Sequence, residues 1–463
     1  MDILLAHGYF LQDDPVEQRI MKPYVPLGIL AISAYLEREG FVTEVFDATF
    51  ESLGSFQRLV QEKKPPVVGV YVNMMTKFAC MKMIRIARET GAFVIVGGPE
   101  PAYYAEDFLE NAVDAVVVGE GEVTVREILE RRRAGETNMR DIAGVVYRGE
   151  EGRVVRNRHR DLLPELDALP QPDRSKIDLR RYVAAWRNRH SYSSLSVVTM
   201  RGCPYACKWC SHGVYGESYR RRSPALVVDE LETLRAAYNP DAFWFADDVF
   251  TINHPWFFEF QRELRRRDVR IRYECITRAD RMNEEIVLAL RDTGCTRVWI
   301  GSESGSQKIL DAMARRVTTG QIRTMTTLAQ RHGIEVGMFL MLGYRGETRK
   351  DIEETVRHVR HACPDIVLTT VAYPIKGTAY YNEIAGEIRL PQLPFPEWND
   401  RMIQVQGRFS RRFYWFANRR IVNEASVARL YRKPRREWGK IAESFVKAKI
   451  AQLGMTIVAK GEA

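Results

Sequence analysis

Three cysteines set the chemistry open to this sequence. Cys203, Cys207 and Cys210 stand in Arg201-Gly202-Cys203-Pro204-Tyr205-Ala206-Cys207-Lys208-Trp209-Cys210, a CxxxCxxC loop. Thiolates closing on one short loop can hold three irons of a cubane iron–sulfur cluster, whose cubane normally takes four cysteines. The fourth iron is then open to a substrate, which suggests a reactive centre rather than a simple electron carrier. The competing use of such thiols is structural zinc, which takes four ligands, usually as two separated pairs. His212 is near enough in sequence to complete that set.

Further polar groups fall where a ligand could be gripped. Asp247 and Asp248 follow the apolar run Phe243-Trp244-Phe245-Ala246, Thr277 and Arg278 follow another, and Ser302, Glu303 and Ser304 a third. Carboxylates suit an ammonium or a ribose diol, and arginine suits a carboxylate bidentately. Each alone could equally be a helix cap or a surface ion pair. Gathered on one rim around the cysteine loop, they would form a site for an amino acid joined to a ribose. Nearer the N-terminus stand Asn73-Met74-Met75-Thr76, Gly97-Gly98-Pro99-Glu100-Pro101 and Gly119-Glu120-Gly121-Glu122. Glycines there let the backbone approach a bulky flat ligand, and helix starts offer free amide donors. They could also simply make tight strand-to-helix turns.

The elements that must position these residues are read from periodicity. In the first ~145 residues, apolar runs at 3–6, 42–46, 67–72, 93–96 and 115–118 alternate with helical patterns at 27–38, 56–62, 77–88, 105–111 and 123–132. Strands buried on both faces suit the parallel sheet of a doubly wound α/β domain, which binds ligands beyond the carboxyl ends of its strands. The GxGxxG fingerprint is absent, which argues against a nicotinamide domain. A Pro-rich stretch at 164–173 marks a linker. Strand candidates then recur at 195–199, 242–246, 271–276, 297–301, 335–342 and 366–371, separated by helical stretches. Six repeats fit a partial (β/α)6 barrel with its chemistry at the carboxyl ends, and the cysteine loop follows the first strand. The expected domains are 1–147, a linker at 148–190, the barrel at 191–385 and a mainly helical region at 386–463.

Composition bounds the setting. The chain has 463 residues, 45% hydrophobic and 28% charged, an ordinary globular balance. Seven cysteines show no disulfide framework, and the chain opens on a strand-like run without a signal peptide, so a reducing cytoplasm is expected. Of the net charge of +9, residues 401–463 hold 15 Lys and Arg against 4 Asp and Glu, leaving the remainder slightly acidic. That argues against a nucleic-acid-coating surface. Within the tail, Trp438, Ile441, Phe445, Ala448 and Gln452 share one helical face. Three readings stand: a helix packed on the barrel, a cover over its mouth that meets an acidic or conjugated substrate, or a peripheral contact with anionic lipid suited to a hydrophobic one.

The cysteine segment resembles the radical S-adenosylmethionine (SAM) signature, including the aromatic Trp209 before its last cysteine. Gly301-Ser302-Glu303-Ser304-Gly305-Ser306 and Gly343-Tyr344-Arg345-Gly346-Glu347-Thr348 are similar to two further segments of that family. Pro26-Leu27-Gly28, Gly97-Gly98-Pro99 and Gly119-Glu120-Gly121-Glu122 resemble the cobalamin-binding domain that precedes the barrel in one large subgroup. That subgroup includes cobalamin-dependent radical methyltransferases and the anaerobic magnesium-protoporphyrin monomethyl ester cyclase. The resemblance covers about residues 1–380.

It implies that Cys203, Cys207 and Cys210 ligate a [4Fe-4S] cluster and that SAM chelates the fourth iron. One electron, from a reductant such as flavodoxin or ferredoxin, would cleave SAM to a 5′-deoxyadenosyl radical that attacks an unactivated carbon. Trp209, Asp247, Asp248, Arg278, Glu303 and Ser304 would meet SAM. Asn73, Met74, Gly97, Gly98, Pro99, Glu120 and Gly121 would meet cobalamin. The DxHxxG motif is missing, so cobalt would bind without histidine, its lower face against a loop such as 73–76. Near the barrel's end, Lys376 interrupts a proline–glycine–threonine segment. The expected reaction is C-methylation of a small molecule by way of methylcobalamin. The alternatives are a cyclase-like oxidation without methyl transfer, and a non-catalytic corrinoid carrier.

Overall fold

The computed structural model describes residues 1–150, 152–432 and 436–461. The chain divides into two compact units. One comprises Met1–Pro204, Ser211–Asp241 and Pro391–Met402, the other Tyr205–Cys210, Ala242–Leu390 and Ile403–Ala463.

In the first unit, β1 (Ile3–His7), β2 (Thr43–Phe46), β3 (Val67–Tyr71), β4 (Phe93–Gly97) and β5 (Ala115–Val117) form a parallel sheet ordered β2-β1-β3-β4-β5. Antiparallel β6 (Val145–Arg148) and β7 (Val154–Arg156) extend it. The helices are α1 (Pro15–Ile20), α2 (Leu27–Arg38), α3 (Leu53–Lys63), α4 (Lys77–Glu89), α5 (Ala105–Leu109) and α6 (Gly121–Arg133). Every residue of β1 is buried, as expected of a strand covered on both faces. On one face, Ile29 and Leu36 of α2 and Val125 and Ile128 of α6 close over Ile3, Leu5, Ile95 and Ala115. This strand order is doubly wound and reverses between β1 and β3, so a ligand crevice belongs at the carboxyl ends of β1 and β3. The unit continues through α7 (Leu179–His190), β8 (Ser194–Val197), the short antiparallel pair β9 (Met200–Arg201) and β10 (Arg220–Arg221), and α8 (Pro224–Tyr238). Residues 391–402, expected in the C-terminal region, fold here. Asn399 Nδ2 donates to Met74 O (3.1 Å), and Phe395 and Trp398 ring the buried Lys77 ammonium, 3.5 and 4.7 Å from it.

The second unit carries five parallel strands in sequence order: β11 (Ala242–Phe245), β12 (Tyr273–Thr277), β13 (Cys295–Glu303), β14 (Glu335–Leu342) and β15 (Ile366–Val371). Between and after them run α9 (His254–Arg266), α10 (Glu284–Asp292), α11 (Gln307–Ala312), α12 (Thr319–Arg331), α13 (Arg349–Ala362) and α14 (Ala379–Glu383). Counting β8 and α8, the chain makes the six strand–helix repeats read from its sequence. Two capping boxes, Thr318 with Gln321 and Thr348 with Asp351, start α12 and α13 by satisfying orphan amides.

The tail forms α15 (Arg411–Arg432) and α16 (Trp438–Gly461). Phe413, Ala417 and Ile421 of α15 pack on Leu342 and on Ile352, Val356 and Val359 of α13. The buried face of α16 differs from the expected one: it is Ile441, Ala448, Ala451 and Met455, while Trp438 and Phe445 are exposed. Small residues set this rotation. Gly454 lies so close to the Phe416 ring that a Cβ would fall 2.4 Å from it, so the face bearing Ala448, Ala451 and Gly454 approaches α15.

Candidate functional site

The turns after β3, β4 and β5 open a cavity in the first unit. Tyr71, Gly97, Gly98, Gly119, Glu120 and Gly121 line it, so four of the residues expected to meet cobalamin stand together. Gly98 has φ +111°, and a Cβ there would fall 2.5 Å from Val72 O and 3.0 Å from the Tyr71 ring. The backbone at this wall therefore has room for no side chain, as a cradle for a broad ligand requires. Asn73, Met74 and Pro99 stand off the lining. Asn73 Oδ1 accepts from Met75 N (2.9 Å) and Thr76 N (3.0 Å), a turn that starts α4 and leaves Met75 exposed.

The cavity also has walls that the sequence reading missed. Val214, Tyr215 and Arg201 line it. Arg201 donates to Glu120 (2.7 Å) and Glu122 (2.5 Å), and Arg220, paired with Arg201 across β9 and β10, donates to the other Glu120 oxygen (2.7 Å). The carboxylates are buried, so the two guanidiniums that compensate them form a fixed assembly. The only sequence signal was the arginine two positions before Cys203.

In the second unit, the segment 205–210 is stitched to the barrel through its backbone. Lys208 N donates to Met313 O (3.2 Å), and Lys208 O accepts from Tyr380 N (2.8 Å). Trp209 packs among Ile309, Met313, Tyr344 and Tyr380. Cys207 is buried and Cys210 exposed; Cys203, in the first unit, is half-buried. Two arginines point at Cys207 Sγ: Arg278 Nη1 at 3.7 Å and Arg315 Nη1 at 3.6 Å. Arg278 also lies 3.8 Å over the Tyr205 ring and binds Asp280 (2.9 Å) and Arg315 O (2.7 Å). Most of its hydrogen bonds thus go to Asp280 and Arg315 O, with Nη1 alone turned to the loop. Arg315, another group the sequence reading missed, binds Gly301 O (2.8 Å) and stands 3.8 Å from Glu303.

Glu303 and Ser304 go to opposite sides. A bulge at Gly301–Glu303 and a φ of +58° at Glu303 aim its carboxylate at Arg315. Burial pushes that carboxyl up, against the pull of Arg315 and Arg278. Ser302 Oγ meets His358 Nε2 (3.1 Å) and Ser304 Oγ meets Thr355 Oγ1 (3.3 Å), so both hydroxyls latch β13 to α13. Asp247 is buried and Asp248 exposed at the end of β11. Beyond β14, Gly343 N donates to Glu347 (2.6 Å), whose carboxyl burial pushes up to about 7, and the Tyr414 ring of α15 covers Gly343.

The donor chemistry fits the cofactors. Two guanidiniums beside Cys207 Sγ place positive charge where an iron-bound sulfur would carry negative charge. Among the described residues no three His, Cys, Asp or Glu side chains are gathered as a metal cage, so this fit rests on the donors and their surroundings.

Comparison with known proteins agrees. Residues 197–359 match the radical SAM superfamily and residues 19–129 the B12 binding domain. An uncharacterized methyltransferase of Pyrococcus horikoshii is 28% identical over 360 residues, covering 76% of this chain and 77% of that protein. The anaerobic magnesium-protoporphyrin IX monomethyl ester cyclase of Rubrivivax gelatinosus is 27% identical over 379 residues, covering 79% and 67%. The solved structure of the radical SAM methyltransferase TsrM from Kitasatospora setae, with cobalamin and a [4Fe-4S] cluster bound, shares the fold with a TM-score of 0.70 at 20% identity, over 86% of this chain and 79% of that one. The cysteine loop lies within the residues that match the radical SAM superfamily. The chain is thus an enzyme with a B12 binding domain at residues 19–129 and a radical SAM domain at residues 197–359, and its cofactors are a [4Fe-4S] cluster, SAM and cobalamin.

Proposed function

We propose that this enzyme methylates an unactivated carbon of a small molecule, using SAM both as methyl source and as radical source. The observation that carries the reading is the glycine-walled cavity at the doubly wound switch point, in a chain that also holds an arginine-flanked CxxxCxxC loop. Cys203, Cys207 and Cys210 hold the cluster, and Arg278 and Arg315 offset the charge of Cys207. Asp247 or Asp248 takes the SAM ammonium, and Glu303 its ribose. Ser304 acts behind that wall by fixing α13. Gly97, Gly98, Glu120 and Gly121 would border cobalamin, with Pro99 shaping the turn and the 73–76 loop outside that lining. When bound, the cluster with SAM supplies a carbon-centred radical, and cobalamin supplies a methyl group; the protein's part is placement and electrostatics.

Feeding the reduced, reconstituted enzyme a small-molecule extract with trideuteromethyl-SAM tests this. Methylation places the label in a product. A product oxidised or cyclised without label would point instead to chemistry like that of the cyclase relative. Failure to form 5′-deoxyadenosine with a full cluster would point to a carrier.

A peripheral lipid contact belongs to the same proposal. Among the described residues no helix is long and apolar enough to cross a membrane. Exposed Trp438, Phe445 and Ile450 stand among lysines on α16, a composition suited to an anionic interface. Co-sedimentation with anionic but not neutral vesicles is expected, and equal sedimentation with both would remove the electrostatic part.

A further inference from the structure

The cavity wall and the cysteine loop share residues at both flanks of the loop. Arg201 lines the cavity and stands two positions before Cys203; Val214 and Tyr215, just after the loop, line it as well. The Tyr215 ring lies 5.4 Å from the Arg201 guanidinium. Arg201 is held by Glu120 and Glu122, at the turn into α6 that forms the adjoining wall.

The link from Arg201 to Cys203 is stiff. Gly202 has φ +82°, and a Cβ there would fall 2.3 Å from Ser218 Oγ and 2.6 Å from Ser218 O. Pro204 follows Cys203 and restricts the backbone before it. Arg220 anchors the pair from the opposite strand through Glu120 and Leu163 O (2.8 Å). A ligand that presses the α6 turn therefore acts on Arg201 through two charge-assisted hydrogen bonds and reaches Cys203 without passing a flexible joint.

We propose that Arg201, forked onto Glu120 and Glu122, is a positioning residue that couples the two cofactor sites: cobalamin in the cavity orders the cysteine loop and retains the cluster, and a loaded cluster tightens cobalamin. This rests on the cavity as the cobalamin site and on Cys203 as a cluster ligand. Coupling of this kind is reciprocal, so the two effects carry the same factor. Its use is protective, since an enzyme without its methyl carrier holds its radical-generating cluster poorly.

The test uses the full chain, reconstituted anaerobically with iron and sulfide. Iron loss to a chelator is followed with and without hydroxocobalamin, and hydroxocobalamin is titrated into cluster-loaded and cluster-free protein. Wild type is expected to lose iron more slowly with hydroxocobalamin and to bind it more tightly when loaded, each by on the order of tenfold. Arg201→Lys keeps a charge but loses the fork, and Glu122→Gln removes the charge of one arm; in both the factor should fall toward one, whatever each does to the affinity for either cofactor alone. Matching thermal melts would show that both variants are folded. Hydroxocobalamin binding in wild type with no change in iron loss overturns the coupling alone, as does a full factor in Arg201→Lys. No hydroxocobalamin binding at all overturns the cavity reading and the coupling with it.

Discussion

Adding one methyl group at Gly98 tests the cradle in a way that separates backbone strain from crowding. Gly98 and Gly40 both have positive φ, +111° and +82°, but a Cβ at Gly40 meets nothing within 4 Å, whereas one at Gly98 meets Val72 O at 2.5 Å and the Tyr71 ring at 3.0 and 3.1 Å. Gly40→Ala should therefore show the backbone cost alone, about 1–2 kcal/mol. Gly98→Ala adds overpacking of about 1–3 kcal/mol, for a total of about 2–5 kcal/mol. Val72 O is backbone, just beyond β3 and held by the bond from Val72 N to Gly97 O (2.8 Å), so relief must come from displacing Tyr71 into the cavity it lines. Urea denaturation of the corrinoid-free protein, followed by circular dichroism, measures the first effect. Spectrophotometric titration with hydroxocobalamin measures the second, expected as a loss of at least about tenfold in affinity for Gly98→Ala and none for Gly40→Ala, since ~1.4 kcal/mol of displaced contact is one decade. Equal destabilisation by the two substitutions, or unchanged affinity in Gly98→Ala, would refute the account of this wall.

Alanine at Cys203, Cys207 or Cys210 should each reduce iron from about four per chain to near none, while Cys80→Ala, at a buried thiol bonded to Tyr71 O, should leave it unchanged; elemental analysis reads both. Arg315→Met strands the buried Glu303 carboxylate and removes a donor to Cys207, so a loss of about 3–5 kcal/mol is expected. Adding Glu303→Gln should recover part of it, and an additive double-mutant cycle would count against the pairing. Burial holds His358 down at about 4 from its usual 6.5. The unfolded chain thus takes up a proton below pH 6.5 that the folded chain refuses until about pH 4, and stability should fall across that window by about 3 kcal/mol, with no effect above it. His358→Asn should flatten that slope in denaturation curves taken from pH 7 to 4.

The chemistry was legible in the sequence wherever it is local. Cysteine spacing is a property of one loop, and β1 and β3–β5 read clearly because strands buried on both faces are continuously apolar. What misled was local as well. The strand reading stopped at 301, but β13 runs on through its bulge to Glu303, and alternation there sends Ser304 to α13 and Glu303 toward Arg315. On α16, apolar residues stand on more than one face, so periodicity could not say that Ile441 would be buried and Phe445 exposed.

By itself, then, the sequence determined the spacing of the three cysteines, the two α/β modules and the glycine turns that border the cavity, since each depends on neighbours within a few residues. Tertiary structure decided the company these pieces keep. Arg315 reaches Cys207 from 108 positions away, and Arg201 reaches Glu120 from 81. Residues 391–402 close over Lys77 although they follow the last barrel strand. Such pairings obey no periodicity; they arise because buried charges must find partners, and only the folded chain shows which ones are within reach.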